Sequence, residues 1–243
     1  MSHEEFLRSL EQGDIRAAKK VGSCWQVNIE VKQRILDIFK TTQVVDIGEF
    51  RDKEPLTIRK FNTIDDVRMV PGGSSVRAGA FVGKGVVIMP PSYVNIGAYV
   101  DEHTMIDSHV LVGSCAQIGK KVHLSAAVQI GGVLEPIGNS PVIIEDGCFI
   151  GAGVIITEGI LVKENAVLAP GVKLSASVPI YDTVNKTIIK GEIPAGAVVI
   201  SGSRAISSNE WARKENLSIY CAVIIKYRDE RTSTATALED ALR

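Results

Sequence analysis

Asp107 directly follows Ile106 in a stretch where an aliphatic side chain returns at every sixth residue: Val76, Val82, Ile88, Val94, Val100, Ile106, Val112, Ile118, Leu124 and Ile130. A carboxylate one step after an inward-pointing aliphatic emerges near a bend on the outside, where it is open to acid–base chemistry. The plainer alternative is a solvated surface charge, although Asp101, Glu102 and His103 make the segment unusually polar for a coil of short strands. His103 and His109 are six residues apart and fall on adjacent sides, while His123 takes a different place in its repeat. One chain therefore offers no convergent set of imidazoles for a metal, and none is expected. Cys24, Cys115, Cys148 and Cys221 are dispersed without a CxxC pair, which predicts buried, reduced thiols. The glycine-rich stretches fit neither a P-loop nor a dinucleotide-binding fingerprint, because the spacing and the strand-to-helix switch are missing.

The beat that carries Asp107 also defines the elements that must position it. A period of six matches neither the 3.6 of a helix nor the two of an ordinary strand, and it marks a hexapeptide-repeat parallel β-helix. After a slip across residues 131–143 the aliphatics resume at Ile144, Ile150, Ile156, Val162, Leu168, Leu174 and Ile180. With three repeats per triangular coil, residues eighteen apart stack, which places Asp107 between Met89 below and Ser125 above. At about 4.8 Å per layer the repeats make nearly six coils and a prism of roughly 27 Å. Small residues recur just after the aliphatics (Gly83, Gly113, Gly119, Gly131, Gly151) and two before the next (Ala80, Ser92, Ala98, Thr104, Ala116), which suits tight corners.

Three regions separate by pattern. Residues 1–70 hold two candidate helices, over 4–20 with Phe6, Leu7 and Leu10 and over 29–40 with Val31, Ile35, Leu36 and Phe39, forming a small N-terminal domain. Residues 71–200 hold the repeats, with a Pro/Gly/Asn loop at 132–141 and a hairpin turning near Asn185. Residues 201–243 form a tail with a strand over 218–227 and a short helix from near Thr234. With 45% hydrophobic but only 5% aromatic residues, the core is aliphatic, as a narrow prism requires. A net charge of −1 and a pI near 6.4 argue against nucleic acid or a membrane surface as partner. The charged opening MSHEEFLRSLEQGD lacks a signal-peptide core, and no apolar run is long enough to span a bilayer, so a cytoplasmic location is expected.

The segment PPSYVNIGAYVDEHTMIDSHVLVGSCAQIGKKVHLSAAVQIGGVLEPIGNSPVIIEDGCFIGA, with VRMVP before it and YCAVIIK at 220–226, closely resembles the tetrahydrodipicolinate N-succinyltransferases of the diaminopimelate route to lysine. The resemblance covers about two thirds of the chain. It implies a left-handed parallel β-helix and a homotrimer with active sites between subunits. It also implies succinyl-CoA as cosubstrate, a small dicarboxylate as acceptor, and no permanently bound cofactor. General connection rules, which favour right-handed crossovers, would have pointed to the other hand. On this resemblance Arg68 binds a substrate carboxylate, for which a guanidinium offers a paired donor fork. Asp107 holds the substrate amine and helps remove its proton. Gly131 and Gly132 are candidate backbone donors to the oxyanion, Lys190 is a candidate for the CoA phosphates, and Glu135 in GGVLEP is a further candidate for the substrate pocket.

One departure stands out. Where many members read FIGARSEVVEG, this chain reads FIGAGVIITEG, so a family glutamate implicated in catalysis falls on Ile155, and the preceding arginine and serine fall on Gly153 and Val154. Glu158 belongs to a different side of its corner and does not inherit that role. His103 and His109 stand where relatives often carry glycine and tryptophan. An N-acetyltransferase using acetyl-CoA, or a non-catalytic structural trimer, are the rival readings, and the strings quoted above favour the succinyl enzyme.

Overall fold

The structure, a computed structural model, describes residues 1–229. Every repeat is a two-residue strand whose second residue is the buried aliphatic, and successive strands stack in parallel at the eighteen-residue step: Tyr99 pairs with Gln117, Met105 with His123 and Leu111 with Gln129. The result is a mainly β, left-handed parallel β-helix with three sheet faces. Face 1 runs from Phe81–Val82 to Glu192–Ile193, face 2 from Arg68–Met69 upward, and face 3 from Ser75–Val76 to Lys173–Leu174. The loop at 132–141 lengthens one turn, so that Gln117 pairs with Ile143, without disturbing the ladder on either side. Face 2 begins at Arg68, so the ladder already includes residues before position 71.

The residue two before each aliphatic also points inward, as Ala80, Ala98, Ala116 and Thr104 do, and all are buried. These small side chains fill the interior of the corner. The bend itself lies three residues after the aliphatic, where the backbone turns left-handed at Gly79, Gly85, Gly97, His103, His109, Cys115, Lys121 and Ala127. The glycines immediately after the aliphatics serve another purpose, because they let adjacent coils approach. A Cβ on Gly113 would lie 2.6 Å from the Gly131 carbonyl carbon, and one on Gly151 would lie 2.7 Å from the Leu168 oxygen.

The N-terminal region covers face 1 and the corner between faces 3 and 1. Helix α1 (His3–Glu11) starts at a Ser2–Glu5 capping box and ends well before position 20, because Gly13 takes a left-handed φ of 79° and the chain then forms a hairpin of β1 (Ala18–Val21) and β2 (Cys24–Val27). Helix α2 (Ile29–Thr41) and a second hairpin, β3 (Val44–Ile47) with β4 (Phe50–Lys53), follow. Phe6, Leu7, Leu10, Ile35 and Ile38 pack with Ala78, Ile96 and Cys115 of the rod in a second core. At the other end Ala197–Ala205 pairs antiparallel with Ser218–Tyr227, and the hairpin of Ile180–Asp182 with Thr187–Ile189 joins them, extending face 2 to ten strands. The helix expected from Thr234 lies outside the described residues.

Cys115 and Cys148 are buried in the rod, and burial pushes both thiols up to about 12. Cys221 is buried as well, but Cys24 is exposed, because it sits on the outer side of the β1–β2 hairpin where no core covers it.

Candidate functional site

Each corner of the prism is a ridge built from the three residues after successive aliphatics, and the three ridges differ in chemistry. The ridge between faces 1 and 2 is charged throughout, with Lys84, Asp101, Glu102, His103, Lys120, Lys121, Glu145, Asp146, Lys163 and Glu164. Lys120 Nζ donates to Glu102 at 2.9 Å, and that bond holds the exposed Glu102 carboxyl below its ordinary range. The ridge between faces 2 and 3 reads Met89-Pro-Pro, Asp107-Ser-His109, Ser125-Ala-Ala, Gly151-Ala-Gly and Ala169-Pro-Gly from bottom to top. Among the described residues of these five layers, Asp107 and His109 are the only ionisable side chains.

Their corner is firmly held. Asp107 N–H donates to Leu124 O at 2.9 Å, the Asp107 carbonyl accepts from Ser92 Oγ at 2.7 Å, and Oδ1 accepts from Ser108 N–H at 2.7 Å. One carboxylate oxygen is thus spent on shaping the corner, and Oδ2 has no hydrogen-bond partner among the described residues. His109 adopts a φ of 63°, its N–H donates to Pro91 O at 2.7 Å, and its carbonyl accepts from Gln129 Nε2 at 3.0 Å. Gln117 fastens the corner of its own coil, Nε2 donating to Cys115 O at 2.9 Å, and its Oε1 also accepts from Arg16 Nε. The imidazole of His109 is exposed and borders a depression of about 420 Å³ lined by Ser75, Tyr93, Leu111 and Gln129 on face 3.

The remaining sequence candidates lie apart within one chain. Arg68 is exposed at the foot of face 2, two rungs or about 10 Å below Met105. It borders a depression of about 440 Å³ with Asn62, Thr63 and Asp66. Gly131 and Gly132 occupy the far edge of face 3. The Gly131 N–H is taken by Ile156 O at 2.8 Å, whereas Gly132 N–H has no acceptor among the described residues, so the pair offers one backbone donor rather than two. Glu135 is exposed in the loop. Lys190 is exposed beyond the upper hairpin, beside Gly191, whose carbonyl accepts from Leu161 N–H on face 1. Ile155 stands on face 3 between Gln129 and Lys173. His103 lies on the charged ridge and His123 is buried on face 2, stacked on Phe149 at 4.8 Å.

The long-range contacts that fix this frame have no counterpart in the repeat. Glu145 accepts from Lys20 Nζ at 2.7 Å, Trp25 Nε1 at 2.9 Å and Glu164 N–H at 3.2 Å. Burial alone would raise its carboxyl, but these donors hold it below the ordinary value. Arg16 lies 3.5 Å over the Tyr99 ring. Lys32 of α2 is fully buried and donates to Asn139 O at 2.6 Å, so the helix grips the loop that carries Glu135. Burial lowers the Lys32 ammonium. A polar residue immediately before an aliphatic, as at Gln117 and Gln129, is the sequence signal for the fastened corners.

Comparison with known proteins points one way. The family model described as "Hexapeptide repeat of succinyl-transferase" matches residues 141–176. A Legionella pneumophila (strain Corby) protein named 2,3,4,5-tetrahydropyridine-2,6-dicarboxylate N-succinyltransferase is 44% identical over 247 residues, covering 98% of this chain and 87% of its own length. A Cupriavidus taiwanensis protein of the same name is 45% identical, covering 96% and 86%. A solved Campylobacter jejuni structure described as a 2,3,4,5-tetrahydropyridine-2-carboxylate N-succinyltransferase matches more loosely, at TM-score 0.47 and 17% identity, over 92% of this chain and 63% of that one.

Proposed function

We infer what this chain does from one premise: it belongs to the family of 2,3,4,5-tetrahydropyridine-2,6-dicarboxylate N-succinyltransferases. It is an acyl-CoA-dependent N-acyltransferase of the diaminopimelate route to lysine, passing the succinyl group of succinyl-CoA to the amine of ring-opened tetrahydrodipicolinate. The observation that carries this reading is 44% identity across 98% of the chain. The bare ridge supports it, because a carboxylate with one free oxygen, set among Ser, Ala, Gly and Pro, is accessible to an amine and to an extended acyl arm.

In this reading Asp107 holds the incoming ammonium and helps it lose a proton, which frees the lone pair for attack on the thioester. Arg68 takes a substrate carboxylate through its guanidinium fork, and Gly132 N–H is available to the oxyanion. Glu135 and Lys190 are weaker parts of the proposal, for the substrate pocket and the CoA phosphates. Because one chain does not gather these groups, the working unit is a homotrimer in which faces 2 and 3 meet neighbouring subunits. Partly exposed Val87, Met105, Phe149, Leu111 and Ile155 on those faces suit such burial. A cytoplasmic location is part of the same reading, and no helix among the described residues is long and apolar enough to cross a membrane.

Ile155 in place of a carboxylate is the one observation that favours the acetyl donor. A thiol-release assay with tetrahydrodipicolinate and each thioester decides between them. We expect kcat/KM with succinyl-CoA to exceed that with acetyl-CoA by at least about tenfold, which corresponds to about 1.4 kcal/mol of transition-state discrimination. The reverse preference would assign the acetyl donor.

A further inference from the structure

We propose that His109 is a second catalytic residue: its imidazole takes the proton that the amine nitrogen sheds after attack and passes it to the departing thiolate. This rests on the acyl-transfer reading above. The reaction removes two protons from one nitrogen. The substrate arrives as an ammonium and loses the first before it can attack. Once the nitrogen lone pair has bonded to the thioester carbon, the nitrogen is again cationic and must lose the second. The C–S bond then breaks with its electron pair on sulfur, and the thiolate requires a proton to leave as the free thiol. The second proton therefore moves from nitrogen to sulfur, and a single group that accepts and then releases it closes the balance without any further reactant. Histidine is suited to that shuttle, since its side chain changes charge in the neutral range.

The geometry assigns the place. Asp107 and His109 are two residues apart on one corner, within about 7 Å along the backbone, and among the five described layers of that ridge they are the only ionisable side chains. The coil below offers Met89, Pro90 and Pro91, and the coil above offers Ser125, Ala126 and Ala127, so neither competes for a proton. From face 3 the titratable group beside the imidazole is Tyr93, with Gln129 as a neutral neighbour. The imidazole is exposed and has no hydrogen-bond partner among the described residues, whereas the backbone that carries it is bonded to Pro91, below, and Gln129, above. The side chain is thus aimed from a rigid support with both ring nitrogens open. The support also comes at a conformational cost, since non-glycine residues rarely adopt the φ of 63° found here. The depression of about 420 Å³ beside the ring gives the reacting groups room to approach.

The test is steady-state thiol release with tetrahydrodipicolinate and succinyl-CoA from about pH 5 to 8, the window in which histidines change charge. His109→Asn keeps the corner, because asparagine tolerates a left-handed backbone, but it cannot carry a proton. We expect kcat to fall about 100-fold or more, KM for both substrates to change less than about threefold, and the pH limb present in the parent protein to disappear. His109→Gly, which accepts the same φ, should regain turnover on addition of free imidazole. A structural role for the ring would give neither the lost limb nor the rescue. An Asn variant within about threefold of the parent kcat and with the same pH limb would overturn the proposal alone. A parent protein that releases no thiol would overturn the acyl-transfer reading, and the proposal with it.

Discussion

The two ridges that flank face 2 have the same backbone and opposite chemistry. Along the ridge between faces 1 and 2, acids and bases alternate from coil to coil, with Lys120 Nζ paired to Glu102 at 2.9 Å and the Asp146 carboxylate accepting from the backbone N–H of Lys120 at 2.8 Å. Along the ridge between faces 2 and 3, everything except Asp107 and His109 is small or apolar. Charges that neutralise their neighbours are bound up in structure, whereas an isolated charge in a lane of small residues is available to a ligand. The contrast teaches that, in a repeat protein, the informative acid is the one whose column lacks a counter-charge.

The largest effect should come from cutting the lone acid. Asp107→Ala is expected to lower kcat by about 100- to 10,000-fold while leaving the fold and the far-ultraviolet circular dichroism unchanged. Glu102→Ala, on the charged ridge, should leave turnover within about twofold. Equal losses at the two positions in the thiol-release assay would erase the distinction between the ridges.

A smaller effect, on stability, is expected where the charged ridge is joined to the N-terminal region. Glu145→Gln weakens the bonds from Lys20 and Trp25 and should cost about 1–3 kcal/mol, read from the urea midpoint. The sign with pH follows from the lowered Glu145 carboxyl. Its contribution is complete above the ordinary carboxylate value of 4.5 and is lost as pH falls through the lower, folded value. The stability difference between the parent and the Gln variant should therefore shrink below about pH 4.5. A difference that grew on acidification would contradict the ion-pair account.

The smallest effect tests the ridge between faces 3 and 1, at a place where adjacent coils lie in close contact. Gly113→Ala drives a methyl toward the Gly131–Gly132 backbone and should cost about 1–2 kcal/mol. Calorimetry that showed no fall in Tm would mean that the adjacent coils can separate more freely than the 2.6 Å approach implies.

Much of this architecture is legible in the primary structure because the repeat converts folding into counting. An aliphatic at every sixth position and three faces per coil place Asp107 over Met89 and under Ser125, and the strand pairing follows that count. Corner geometry was harder to read. The left-handed position lies three residues after each aliphatic, and it is occupied not only by glycine but also by His103, His109, Cys115 and Lys121, so glycine spacing pointed to the wrong place. Helix α1 is shorter than its apolar periodicity predicts, because periodicity does not reveal that Ala18–Val21 pairs with Cys24–Val27. The availability of a backbone donor was equally hidden, since only the stacked coil shows that Gly131 N–H already serves Ile156.

What the sequence alone determined is the rod, its register and the company each corner residue keeps, because all three follow from a strict period and from stacking in parallel. What only the tertiary structure decided is how the aperiodic segments engage that rod: Arg16 on Tyr99, Lys20 and Trp25 on Glu145, and Lys32 on the Asn139 carbonyl. Those partners are joined by shape and by the need to satisfy buried polar groups, and no spacing rule connects residues that lie more than eighty positions apart.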